Sequence, residues 1–184
     1  MIMTVAEFRR FVEASEDDSL IEDKLSAIEL LIRAYTNNNF QVRALRAVAV
    51  ASAANNAFLV NGTAPFKVGD TLQVTESETM PNSLVTVTAI TDGTITVDGE
   101  IYDESGVVIT KVNYPQDVKQ GVINLMKWEL NNRDKVGVQS ETISRHSVTY
   151  FSMDGDNSIM GYPKSLMGFL RPYMKARFGQ GLRV

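Results

Sequence analysis

A chain of 184 residues, 44% hydrophobic and 22% charged, has enough apolar surface for one compact domain or two small ones, which excludes global disorder. Its net charge of -4 argues against a protein whose main task is to grip phosphates, so nucleic acid is not the expected partner. With no cysteine there is neither a disulfide framework nor a thiolate metal site, and the acidic start "MIMTVAEFRRFVEASEDD" together with the lack of any long apolar run predicts a soluble chain that is neither exported nor membrane-bound.

The first element is a short helix: Thr4 and Glu7 have capping-box spacing, and Val5, Phe8 and Phe11 or Val12 fall on one side. A second helix is predicted in "DDSLIEDKLSAIELLIRAY". Ser19 and Glu22 repeat the capping-box spacing there, and Ile21, Leu25, Ile28, Ile32 and Tyr35 recur at steps of four and three. The asparagines of "TNNNF" end it, because asparagine tolerates the left-handed backbone found at helix C-termini.

From about Ala44 to Val112 the apolar period changes from helical to alternating. Val85, Val87 and Ala89 share one face of "LVTVTAI", Asp92-Gly93 supplies hairpin-turn chemistry, and Ile95 and Val97 return in "TITV". Further short strands are predicted in "RAVAVASA", "AFLV", "DTLQV" and "GVVITKV", which together make a small barrel or sandwich. Helix returns in "YPQDVKQGVINLMKWELNNRDKVG", where Pro115 suits a first turn, Val118, Val122 and Leu125 line one side and Trp128 reads as a core aromatic. The predicted fold is therefore α+β: a small helical bundle made of residues 1–43 and 113–184, interrupted by a β module at 44–112 and followed by an extended C-terminal hairpin or arm.

In that arm, Val138, Ser140, Thr142, Ser144, His146, Val148 and Tyr150 alternate with Gln139, Glu141, Ile143, Arg145, Ser147, Thr149 and Phe151, and both faces are mostly polar. A ribbon that buries neither face is marginal alone, and its backbone edges stay open to another chain. Two readings remain open: an arm completed by a neighbouring chain, and a surface hairpin packed on its own subunit. The closing segment "PKSLMGFLRPYMKARF" has Pro163 at a helix start, an apolar patch of Leu166, Met167, Phe169 and Leu170, and a break or kink expected at Pro172, before Tyr173. Its mixture of Phe169, Tyr173 and Phe178 with Arg171, Lys175 and Arg177 has the composition of an interface anchor; closure of the subunit's own core is the competing reading. No acid follows Asp156, whereas Glu13, Glu16, Asp17 and Asp18 crowd the other end, an asymmetry suited to head-to-tail contacts or to ordinary solvated faces.

The runs "IEDKLSAIELLIRAYTNNNF" and "VGVQSETISRHSVTYFSMDGDNSIMGYPKSLMGFLRPYMKARF" resemble the head-tail connector proteins of long-tailed bacteriophages, small helical adaptors that sit beneath the portal. The resemblance covers the two helical parts and the arm, and leaves out the β module. It implies a structural virion protein at the head-tail interface, assembled in the host cytoplasm. It further implies a twelve-membered homo-oligomeric ring, contacts to the portal and to a tail or stopper protein, and DNA only as cargo passing through the channel. The residues assigned to these protein contacts are Arg145, His146, Val148, Tyr150, Phe151, Phe169, Arg171, Tyr173, Lys175, Arg177 and Phe178.

Other chemistry is thinly represented. "DGDNS" places Asp154, Asp156 and Ser158 at calcium-loop spacing, but Ile159 stands where the loop needs glycine and Ser165 where it needs glutamate, so an Asx-rich turn is expected and no metal. His146 is the only histidine, and Ser144 and Ser147 lie too close along a strand to build a catalytic triad with it; no enzyme and no cofactor is expected. The alternative of a different class is a ligand- or glycan-binding module carried by the β insertion.

Overall fold

The computed structural model describes residues 1–62, 65–133, 140–143, 146–149 and 156–176. It has a mixed α+β fold with two compact units: Met1 with Asn39–Tyr114, and Ile2–Asn38 with Pro115–Val184.

The first unit is a closed antiparallel barrel of β1 (Gln41–Ser52), β2 (Ala57–Val60), β3 (Thr71–Thr75), β4 (Leu84–Thr91), β5 (Thr94–Val97) and β6 (Glu104–Val112), in the order β1-β2-β5-β4-β3-β6. Long β1 closes the barrel because it pairs with β2 through Ala49–Ser52 and with β6 along most of its length. The interior is filled by Phe58, Leu72, Val74, Ile95, Val107 and Ile109, all fully buried. A sheet closed around such a core leaves no unpaired edge. At its mouth, Phe40 and Tyr114 bring the two ends of the barrel segment together with ring centroids 4.8 Å apart, and the Asn113 N–H donates to the Phe40 carbonyl at 3.0 Å.

Local chemistry explains both the agreement with the alternating pattern and its one failure. Asp92 and Gly93 both have positive φ (45° and 79°), the two-residue turn that matches strand twist. A Cβ on Gly93 would lie 2.8 Å from the Val60 carbonyl oxygen, so only glycine fits there. Val85 and Val87 point inward as expected, but Ala89 is exposed. A β-bulge between Val87 and Ala89 places an extra residue on β4 and turns Ile90 toward the core instead.

The second unit contains α1 (Val5–Arg9), α2 (Asp18–Thr36), α3 (Gln116–Asn132) and a 3₁₀ helix, Lys164–Tyr173. The Thr4/Glu7 capping box is present at α1, which ends before it can carry Phe11, 57% exposed, onto the buried side. The Ser19/Glu22 box does not form, because α2 already starts at Asp18 and both residues lie inside it. Asn37 ends α2 in the left-handed conformation at φ 49°. Ile21, Leu25, Ile28 and Ile32 are buried, as are Val118, Val122, Leu125 and Met126 of α3. α2 packs on α3 and on the 3₁₀ helix. The expected break at Pro172 does not occur; the C-terminal segment instead winds as a 3₁₀ helix through Pro172 to Tyr173. Pro172 brings no N–H to the last turn, and Gly168 weakens an α-helix at its middle.

Between these elements run two small antiparallel pairs. β7 (Ser140–Ile143) pairs with β8 (His146–Thr149), with Glu141 opposite Val148 and Ile143 opposite His146. These residues are therefore two antiparallel strands and not one continuous strand. β9 (Ser158–Ile159) and β10 (Tyr162–Pro163) form a tight hairpin through Met160 and Gly161, whose φ values of 52° and 80° again suit a two-residue turn.

Candidate functional site

Among the described residues, a dense polar site of the second unit joins the end of α3, which precedes the β7–β8 ribbon in the chain, to the β9–β10 hairpin that follows it. Arg133 follows the last residue of α3, and Gly161 and Tyr162 belong to the β9–β10 hairpin beyond the ribbon. Glu129, one turn before Arg133, is the hub. One carboxylate oxygen accepts from Arg133 Nε at 2.9 Å and Nη2 at 2.6 Å and from the Tyr162 hydroxyl at 2.9 Å. The other accepts from Lys24 Nζ of α2 at 3.1 Å. Arg133 also donates from Nη1 to the Gly161 carbonyl at 3.0 Å. Its guanidinium lies 4.9 Å from the Trp128 ring centroid and 4.8 Å from that of Tyr162, and the two rings are 5.4 Å apart, tilted at 59°.

Each component has a local reason for its place. Glu129 and Arg133 are four residues apart on a helix and so share a face. The positive φ of Gly161 lets the hairpin turn bring its carbonyl to the guanidinium. Trp128 is half-buried, not a core aromatic, because its ring forms one wall of the arginine's seat. Burial pushes the Glu129 carboxyl upward, but the hydrogen bonds from Arg133, Lys24 and Tyr162 outweigh it and hold the group down to about 2. The Tyr162 hydroxyl is pushed up to about 12 by burial and by its bond to that carboxylate. Hydrogen bonding to Glu129 raises Arg133 further above its already high value. The cluster is a charged clamp made of groups with fixed protonation, which suits it to holding chain and not to moving protons.

Among the sequence-assigned contact residues, His146 and Val148 sit on β8, opposite Ile143 and Glu141 in register. Arg145, Tyr150, Phe151, Arg177 and Phe178 lie outside the described residues, as does Asp154 of the calcium-like run. Phe169 packs its ring on the backbone of α3, where a Cβ on Gly121 would come within 2.4 Å of it. The Tyr173 hydroxyl bonds the Asp117 carboxylate at 2.7 Å, which raises its pKa. Arg171 and Lys175 are exposed, although the Lys175 N–H donates to the Thr36 carbonyl at 2.8 Å. Of the described residues, His146 and Val148 therefore belong to the ribbon, and Phe169, Arg171, Tyr173 and Lys175 to a segment stitched to α2 and α3. Sequence reading missed the clamp itself: the Glu129/Arg133 spacing was visible, but its partners come from 24, 161 and 162.

Among the described residues no cluster of acids or histidines could hold a metal ion, and no helix is long and apolar enough to cross a membrane. No family model matches the chain, and no curated protein does. Among solved structures it is weakly similar to a chain from the neck of an empty GTA particle computed with C6 symmetry, at 14% identity and a TM-score of 0.35, covering 98% of this chain and 93% of that one. A likeness of that size assigns neither fold nor function.

Proposed function

We propose that this chain is a non-enzymatic structural protein of a tailed-phage virion, a head-tail connector that forms a ring under the portal and joins the capsid to the tail or to a stopper protein. The observation that carries the reading is the ribbon: among the described residues β7 and β8 pair only with each other, while the Glu129–Arg133 clamp binds the chain at both ends of the arm. A two-stranded ribbon gains little stability alone. A firmly seated root beneath such a ribbon is what a contact arm between chains requires, since holding the arm in place lowers the ordering cost of docking. The polar pattern of residues 138–151 and the connector resemblance of the two runs, the second of which contains the ribbon, support the same conclusion. On this reading Arg171 and Lys175, exposed beside a segment otherwise committed to its own unit, add charged contacts to the portal. The ring is twelve-membered if the resemblance holds in stoichiometry.

Co-sedimentation with purified portal tests the reading. The wild-type chain should pellet with portal. The Val148→Asp, Tyr150→Asp double variant should lose that association at least tenfold while its melting temperature stays within about 2 °C, as surface changes do. A double variant that binds portal undiminished would show that the ribbon is not the contact arm.

A further inference from the structure

The barrel carries an outward apolar strip that its own fold does not use. Val50 of β1 and Leu59 of β2 are register partners, and Val48, two residues along the same face, is opposite Val108 of β6. Val48 is 65% exposed, Val50 50% and Leu59 42%. With Arg46, Asn61 and Pro65 they line a groove of about 730 Å³. Isolated exposed apolar side chains are ordinary, but a contiguous strip rimmed by polar groups marks an interaction surface. At one end stands Arg46, with Arg43 three residues upstream; both are exposed, and neither has an ion-pair partner among the described residues.

The other unit presents a surface of opposite character. From the end of α1 into the first turns of α2, Glu13, Asp17, Glu22 and Asp23 are exposed carboxylates without an ion-pair partner among the described residues, while Asp18 is taken by Arg9 at 2.6 Å. The large apolar side chains of that stretch, Phe11 at 57% and Leu20 at 45%, are also exposed. We propose that the barrel groove receives this acid-rimmed Phe11/Leu20 surface from a second copy of the chain.

The signs of charge select the arrangement. Groove against groove would gather four arginines in one contact with no counter-charge, and acidic face against acidic face would gather carboxylates in the same way. Only groove against acidic face brings opposite charges together around apolar contacts, which makes the contact heterologous and leaves one groove and one face free at the ends. Such a contact propagates into a ring or filament. The inference rests on the ring reading above and names the contact that builds the ring.

Sedimentation velocity on the full chain tests it with two variants, Val48→Asp with Leu59→Asp in the groove and Phe11→Asp with Leu20→Asp on the acidic face. All four positions are solvent-facing, so both variants should melt as wild type does. The wild-type chain should form species larger than a dimer and lose them as salt rises, and each variant alone should be monomeric. An equimolar mixture of the two should stop at the dimer, because it contains one working groove and one working face. As a check that does not depend on buried apolar groups, Arg46→Glu should weaken assembly, and mixing it with Asp17→Arg should recover species larger than a dimer, because the swapped charges pair in one contact and the original charges in the next. A mixture that stays monomeric, or variants that assemble like wild type, would overturn the contact while leaving the ring reading intact. A wild-type chain that is monomeric both alone and with portal would overturn both.

Discussion

The barrel and the ribbon are both antiparallel β structure, yet they solve opposite problems. In the barrel the sheet closes on itself around Phe58, Leu72, Ile95 and Ile109, so strand edges and inward side chains find their partners within the unit. In the ribbon β7 and β8 have only each other, among the described residues. The difference shows where information about partners is stored. A strand that completes a core reports on its own subunit, and a strand pair that pairs with no further strand is the place where the proposed contact with another chain is sought.

The contrast can be broken most severely on the barrel side. Phe58 is fully buried, and Phe58→Ala should remove about 3–5 kcal/mol from the barrel unit. Thermal or urea unfolding followed by barrel-specific hydrogen exchange would read it, and a loss below about 1 kcal/mol would mean that the interior is not close-packed.

At the root of the ribbon the effect should be smaller and local. Arg133→Ala removes two bonds to Glu129, one to Gly161 and the stacking on Trp128 and Tyr162, for about 1–3 kcal/mol, while the Glu129 carboxylate keeps Lys24 and Tyr162. Amide exchange at Tyr162 should quicken, with the barrel amides unchanged. Acidity and alkalinity sharpen the same test. Because the Glu129 carboxyl is held at about 2, below its usual 4.5, its support is complete above pH 4.5 and is lost as pH falls toward 2. The Tyr162 hydroxyl is raised from 10 to about 12, so its support is complete below pH 10 and is lost as pH climbs toward 12. Protection at the root should therefore be flat between about pH 5 and about pH 9, and a step inside that window would show that another group controls it.

Gly121→Ala should cost less. The new methyl would meet the Phe169 ring at 2.4 Å, an overpacking of about 1–3 kcal/mol, and the helix propensity gained returns up to about 1 kcal/mol. A Phe169→Leu change in the same chain should recover part of the loss, as measured by melting. If Gly121→Ala is instead stabilising, Phe169 does not rest on α3.

The comparison also explains what was legible in the sequence. The runs "AFLV" and "TITV" match β2 and β5 to the residue. In β5 the alternating Ile95 and Val97 fill the barrel, whereas in β2 the adjacent Ala57 and Phe58 are both buried, so there the apolar run itself and not an alternation carries the reading. Ala89 was misplaced because a bulge is a backbone event that leaves no mark on an apolar pattern. The start of α2 was misread because Ser19 and Glu22 satisfy the capping spacing inside a helix as well as at its end. The 3₁₀ winding through Pro172 draws on Gly168 and Pro172, which the sequence displays, and on packing against α2 and α3, which it does not. The clamp was half visible: a Glu and an Arg four apart are readable, but a carbonyl from Gly161 and a hydroxyl from Tyr162 arrive only when β9 and β10 turn back. The acids at 13 and 16–18 read as a solvated helix entrance and Phe11 as part of the first helix's apolar side, and the barrel groove proposed to receive them depends on a register no single strand reveals.

The central claim is that this chain acts through assembly, and electron microscopy of the purified full-length protein, alone and mixed with its portal, tests it most directly. The account predicts closed rings seated on the portal, with density from the ribbon bridging to a neighbouring chain. Isolated monomers in both samples, with the portal bare, would contradict it.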